Sequence, residues 1–147
     1  MVWSMENKTL KQRILEEMSV SYVNSLEKNF ELAKKFIRIT PEGNIDIIMK
    51  DKLTGKDQIL LYLIGKMYAR EAEKSVDIDV KNQELANELG IPIGSLLPWL
   101  KDLRASNKIK PLKKDRYVSH YIPVNLIEKV LNDVDNKMRK KMISHDQ

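Results

Sequence analysis

Apolar residues recur at helical spacing through the first quarter of the chain. Leu10, Ile14 and Met18 stand four apart, and Tyr22, Leu26, Phe30, Ala33 and Ile37 continue the stripe. This spacing predicts helix over residues 6–37. Ser19-Val20-Ser21 interrupts it, because serine and β-branched valine are poor helix formers. The segment therefore reads as two helices or as one long helix with a bend. The period then changes to two. Phe36–Thr40 and Asn44–Met49 flank Pro41-Glu42-Gly43, and alternation around a Pro/Gly turn is a hairpin signal.

Thr54 and Asp57 resemble a capping box opening a helix to about Glu73. Its stretch Ile59–Ile64 is apolar all round, so it is expected to be buried on more than one side. One side suits a core; the other needs the N-terminal segment or a second chain. Ser75–Val80 alternates as a short edge strand. Asn82 is placed to cap a helix over Gln83–Leu89 that turns Leu85, Ala86 and Leu89 inward, and Gly90 ends it. Ile91-Pro92 opens another helix to about Ala105, with Leu96, Leu100 and Leu103 inward. Lys108–Pro111 and Tyr117–Ile122 can pair as strands around Lys113–Arg116. A last helix runs from Leu126 to about Lys141, where Ile127, Val130, Leu131, Val134 and Met138 form a coiled-coil-like seam.

The chain has 147 residues, of which 42% are hydrophobic and 32% charged. That is material for one compact core and too apolar for a disordered polymer. Cysteine is absent, which excludes disulfide scaffolds, thiolate zinc sites, iron–sulfur clusters and cysteine nucleophiles. No run approaches the roughly 20 apolar residues of a membrane span, and the first residues lack the apolar core of a secretion signal. A soluble, cytoplasmic protein is expected. The five glycines are scattered, so no phosphate-cradling loop exists. His120 and His145 lack ligand-spaced partners, and Ser95 has neither a nearby histidine nor a nucleophile elbow. The expectation is therefore a protein without catalytic residues, metal or cofactor. Asp77 and Asp79 read as a solvent-facing pair on their strand. Lys137, Arg139, Lys140 and Lys141 read as cations that suit a helix C-terminus.

Charge adds one fact. The net charge is +5, and residues 108–118 alone hold five Lys/Arg against one Asp. Such a cluster is either a footprint for a polyanion or a lysine-rich solvated turn.

From residue 54 the element order is helix, short strand, helix, tight turn, helix, strand, basic loop, strand, helix. With Leu85-Ala86, Gly90-Ile91, Ser95, and Leu100 three before Leu103, followed by Asn107-Lys108-Ile109, residues 54–125 resemble the winged helix-turn-helix superfamily. The resemblance implies a mainly α fold with a small β-wing, joined to an N-terminal helical segment and hairpin (1–53) and a C-terminal helix (126–147). It implies double-stranded DNA as partner, with the second helix in a major groove and the wing on the backbone, and a role as transcriptional regulator. The residues it assigns to DNA are Asn82, Ser95, Leu97, Pro98, Trp99, Lys101, Arg104, Lys113, Lys114 and Arg116. The pattern departs from the family at Leu97, Pro98 and Trp99, where polar or basic residues are usual. That apolar trio supports an alternative, a protein-interaction module. A homodimer is expected from Ile59–Ile64, the N-terminal spacing and the Ile127–Met138 seam, with residues 1–53 and 126–147 as dimerisation regions.

Overall fold

A computed structural model describes residues 8–18 and 22–145, with side chains to Met142. Thr9 caps the first helix, α1 (Leu10–Glu17), by accepting from the Gln12 amide, while the Gln12 side chain returns to the Thr9 amide. Two short helices follow, α2 (Tyr22–Lys28) and α3 (Phe30–Ala33). The predicted break at Ser19–Ser21 lies outside the described residues. Helix ends earlier than the stripe suggests, because Ile37 begins a strand. Strands β1 (Ile37–Ile39) and β2 (Ile45–Ile47) pair antiparallel, Ile37 opposite Ile47, as the alternation predicts.

Helix α4 (Gly55–Glu71) is the central element. The Thr54 hydroxyl accepts from the Asp57 amide at 3.1 Å, but the reciprocal half of the capping box is replaced. The Asp57 carboxylate is buried and bonds the Lys137 ammonium at 3.1 Å instead. Ile59, Leu61, Leu63 and Ile64 are fully enclosed, because the β1–β2 hairpin, two later helices and the C-terminal helix surround α4. No second chain is needed to cover it. Gly65 permits the hairpin to approach: a Cβ there would stand 2.6 Å from the Ile45 side chain.

The segment after α4 is irregular until β3 (Val80–Lys81), shorter than the predicted strand. Helices α5 (Asn82–Leu89) and α6 (Ile93–Ala105) then pack on each other and on α4. Gly90 joins them in the left-handed conformation, φ 66°, where a side chain is strained. Leu85, Leu96, Leu100 and Leu103 are enclosed as predicted. Asn82 is the first residue of α5 and makes no side-chain cap, so the capping role expected of it is not found. Strands β4 (Lys110–Lys114) and β5 (Tyr117–Tyr121) form a hairpin, and β3 pairs with β5, giving the sheet order β3-β5-β4.

Helix α7 (Ile127–His145) closes the fold. Its seam, Ile127, Val130, Leu131, Val134 and Met138, is buried within the same chain against α2, α3 and α4. The seam therefore offers no face for dimerisation. One continuous core takes residues from 26 to 138, across all three predicted segments. The architecture is mainly helical with two small antiparallel sheets. Among the described residues no helix is long and apolar enough to cross a membrane.

Candidate functional site

Helix α6 sends its residues in three directions. Leu96, Leu100 and Leu103 face the core. Leu97, Lys101 and Arg104, spaced four and three apart, share another face. Trp99 leaves on the far flank and packs over the N-terminus of α4: a Cβ on Gly55 would stand 2.1 Å from its ring.

Strand alternation sorts the β4–β5 hairpin the same way. Pro111 stands opposite His120 and Lys113 opposite Val118, and these four share the side that faces α6. Lys110, Leu112 and Lys114 point to the other side. The two faces enclose a groove of about 730 Å³ between helix and hairpin, with Asn82 at its edge.

This groove gathers Asn82, Leu97, Pro98, Lys101, Arg104 and Lys113. The remaining predicted residues lie elsewhere. Ser95 is half-buried outside the groove. Trp99 lines a separate hollow with Gly55 and Gly90, so the apolar trio is not contiguous and only Leu97 and Pro98 remain together. Arg116 is exposed in the tight turn with Asp115, beyond the groove. Lys113 and Lys114 are strand residues, not loop residues. Pro98 lies inside α6, which begins at Ile93 with Pro92 as its cap.

Lys114 is held away from the groove. Its ammonium lies 2.9 Å from the Asp79 carboxylate, which also accepts from the Ser119 hydroxyl. Burial would raise the Asp79 pKa, but the bonds from Ser119 and Lys114 outweigh it and hold the carboxyl below its ordinary value. The Asp79 contact raises the Lys114 pKa in turn. Lys81 and Lys114 both lie over the Tyr117 ring, at 4.2 and 5.9 Å. Asp79 is thus a partnered carboxylate rather than the solvent-facing one expected.

Lys101, Arg104 and Lys113 have no ion-pair partner among the described residues, and no carboxylate lines the groove. Beneath it His120 is 1% exposed. The Arg104 guanidinium reaches His120 Nε2 at 2.8 Å. Guanidinium is donor only, so Nε2 accepts and the ring's proton sits on Nδ1. Burial, helped by the Arg104 charge, pushes the His120 pKa down to about 4, so the ring is neutral and anchors Arg104 without opposing it. His120 Nδ1 and Asn82 Oδ1 are enclosed without hydrogen-bond partners among the described residues. The sequence does not single out His120 as a site residue. Its place on the second strand of the hairpin, two residues from Val118 and so on the same face, is the available signal.

The C-terminal cations also have specific partners. Lys137 bonds Asp57, Arg139 bonds Asp135 at 3.1 Å, and Lys141 bonds the Lys52 carbonyl. Among the described residues no group of acidic and histidine side chains could hold a metal ion. No family model, no curated protein and no solved structure matches this chain.

Proposed function

We propose that residues 54–125 are a winged helix-turn-helix domain that binds double-stranded DNA sequence-specifically and regulates transcription. The element order, the glycine turn between α5 and α6, and the sheet order β3-β5-β4 support that reading of the fold. The observation that carries the function is the groove between α6 and the hairpin, where three cations without an ion-pair partner among the described residues converge and no carboxylate lines the wall. A polyanion is the partner such a field attracts. In this reading α6 enters the major groove, with half-exposed Leu97 available to thymine methyl groups. Lys101, Arg104 and Lys113 contact phosphates, and Arg116 at the hairpin turn reaches the adjoining backbone. Lys114 and Trp99 make structural contacts in this arrangement.

The test is selection of bound duplexes from a random pool at two salt concentrations. Enrichment of one motif, with affinity falling as salt rises, is expected. Failure of the full chain to retain any duplex at low salt would overturn the proposal.

A further inference from the structure

The floor of the groove between α6 and the hairpin holds two polar atoms of opposite kind. His120 is enclosed, and its Nε2 accepts from Arg104 at 2.8 Å. The ring proton therefore sits on Nδ1, which is a donor. That donor has no partner among the described residues. Asn82 Oδ1, an acceptor, is enclosed and without a partner in the same way. A buried donor or acceptor left unpaired is costly. Two that complement each other at one site call for a common account.

The fold brings both to one place. Strand β3 sets Val80 opposite His120. Two residues on, the chain reaches Asn82, where α5 begins and packs on β5. Both side chains line the same groove. The terminal torsion of asparagine is soft, which lets the amide turn toward the ring. Asn82 is not held elsewhere as a helix cap.

We infer that His120 is a two-ended positioning residue: Nδ1–H donates to Asn82 Oδ1 while Nε2 accepts from Arg104, so that one ring aims both side chains at the same backbone phosphate of a duplex. With Oδ1 turned inward, the Asn82 amide nitrogen presents its donors to the groove. Arg104 commits one N–H to the ring and keeps its other donors for the ligand. Phosphate oxygens accept only, and a guanidinium held in place loses less freedom when it binds them. An amide suits position 82 because it accepts from the ring and donates to a phosphate at once, whereas a carboxylate there would repel the anion. The inference rests on the reading of the groove as a phosphate site. It adds that His120, which touches no ligand itself, sets the aim of the two groups that do.

Nitrogen-15 NMR of the full chain with labelled histidine reads the ring before any DNA is added. His120 should carry its proton on Nδ1, and Asn82→Leu should speed exchange of that proton about tenfold or more. A proton on Nε2, or exchange that Asn82→Leu leaves untouched, would overturn the inference. Fluorescence anisotropy with a labelled duplex then tests the aim. His120→Leu should weaken binding about tenfold, as for one charge-assisted hydrogen bond lost, while keeping the parent's salt slope because Lys101, Arg104 and Lys113 all remain. His120→Gln, which keeps an acceptor for Arg104, should recover much of that loss. In a chain already carrying Asn82→Leu and Arg104→Ala, His120→Leu should cost nothing further. An equal cost in that background would mark a merely structural histidine and refute the positioning role. A parent that retains no duplex would overturn the phosphate reading, whereas the tautomer and exchange measurements decide the contact between ring and amide on their own.

Discussion

Replacing Lys101, Arg104 and Lys113 together by alanine tests the groove quantitatively. All three line it, none is ion-paired among the described residues and none is buried; the folding cost is confined to Arg104, whose loss leaves the buried His120 Nε2 without its donor at about 1–3 kcal/mol. Each phosphate neutralised contributes about −0.9 to the slope of log Kobs against log salt. Three contacts give ~2.7, so the triple variant should show a slope shallower by about that amount. Between 50 and 200 mM salt this is a roughly 40-fold smaller loss of affinity than the parent shows. The internal control is Lys114→Ala. Its ammonium is committed to Asp79 at 2.9 Å, so its removal should leave the slope unchanged although it too deletes a positive charge. Fluorescence anisotropy with a labelled duplex at four salt concentrations, with circular dichroism as the folding check, provides the measurement. An unaltered slope in the triple variant, or an equal effect from Lys114→Ala, would refute the assignment of these side chains.

Further outcomes follow from the same contacts. Asp79→Asn should leave the salt slope unchanged, because the pleat of β4 keeps Lys114 on the side turned away from the groove even without its partner. Because Asp79 titrates below its ordinary value when folded, its stabilisation is present above the carboxylate range and fades as pH falls through it; the Asn variant should lose that fading in thermal melts. His120 is depressed from 6.5 to about 4, so its contribution is intact above pH 6.5 and lost as pH falls toward 4. Each tenfold change in proton affinity is worth about 1.36 kcal/mol, so the loss is on the order of 3 kcal/mol. His120→Gln, which keeps an acceptor for Arg104, should flatten denaturant midpoints over that interval. Gly55→Ala should displace the half-exposed Trp99 ring, whose outer edge the methyl group would overlap, and shift its fluorescence. Gly94→Ala meets nothing within 4 Å and should stabilise by about 0.5–1 kcal/mol; a lower Tm there would contradict the backbone placement of α6.

Much of this was legible in the sequence because it depends on local period and local chemistry. The leucines of α5 and α6, the hairpin around Gly43 and the glycine stop at Gly90 all follow from spacing and from steric rules that act within a few residues. Which side of an element meets which neighbour is not local. Ile59–Ile64 and the α7 seam signalled burial, but one chain's own helices cover both. An apolar stripe reports that it needs a partner and carries no label for whose. The adjacent lysines 113 and 114 look equivalent in a charged run, yet the pleat of β4 sends one into the groove and the other to Asp79, 35 positions away in sequence. Trp99 and Leu97 separate likewise, because the helix turns roughly 100° per residue and the missing Cβ at Gly55 leaves room for the Trp99 ring. Local spacing and turn chemistry set most elements and their order, though not where the helix before Ile37 stops or how short β3 is. Which cations keep a partner is settled only on folding, because the carboxylates that pair with them are brought close in space rather than along the chain.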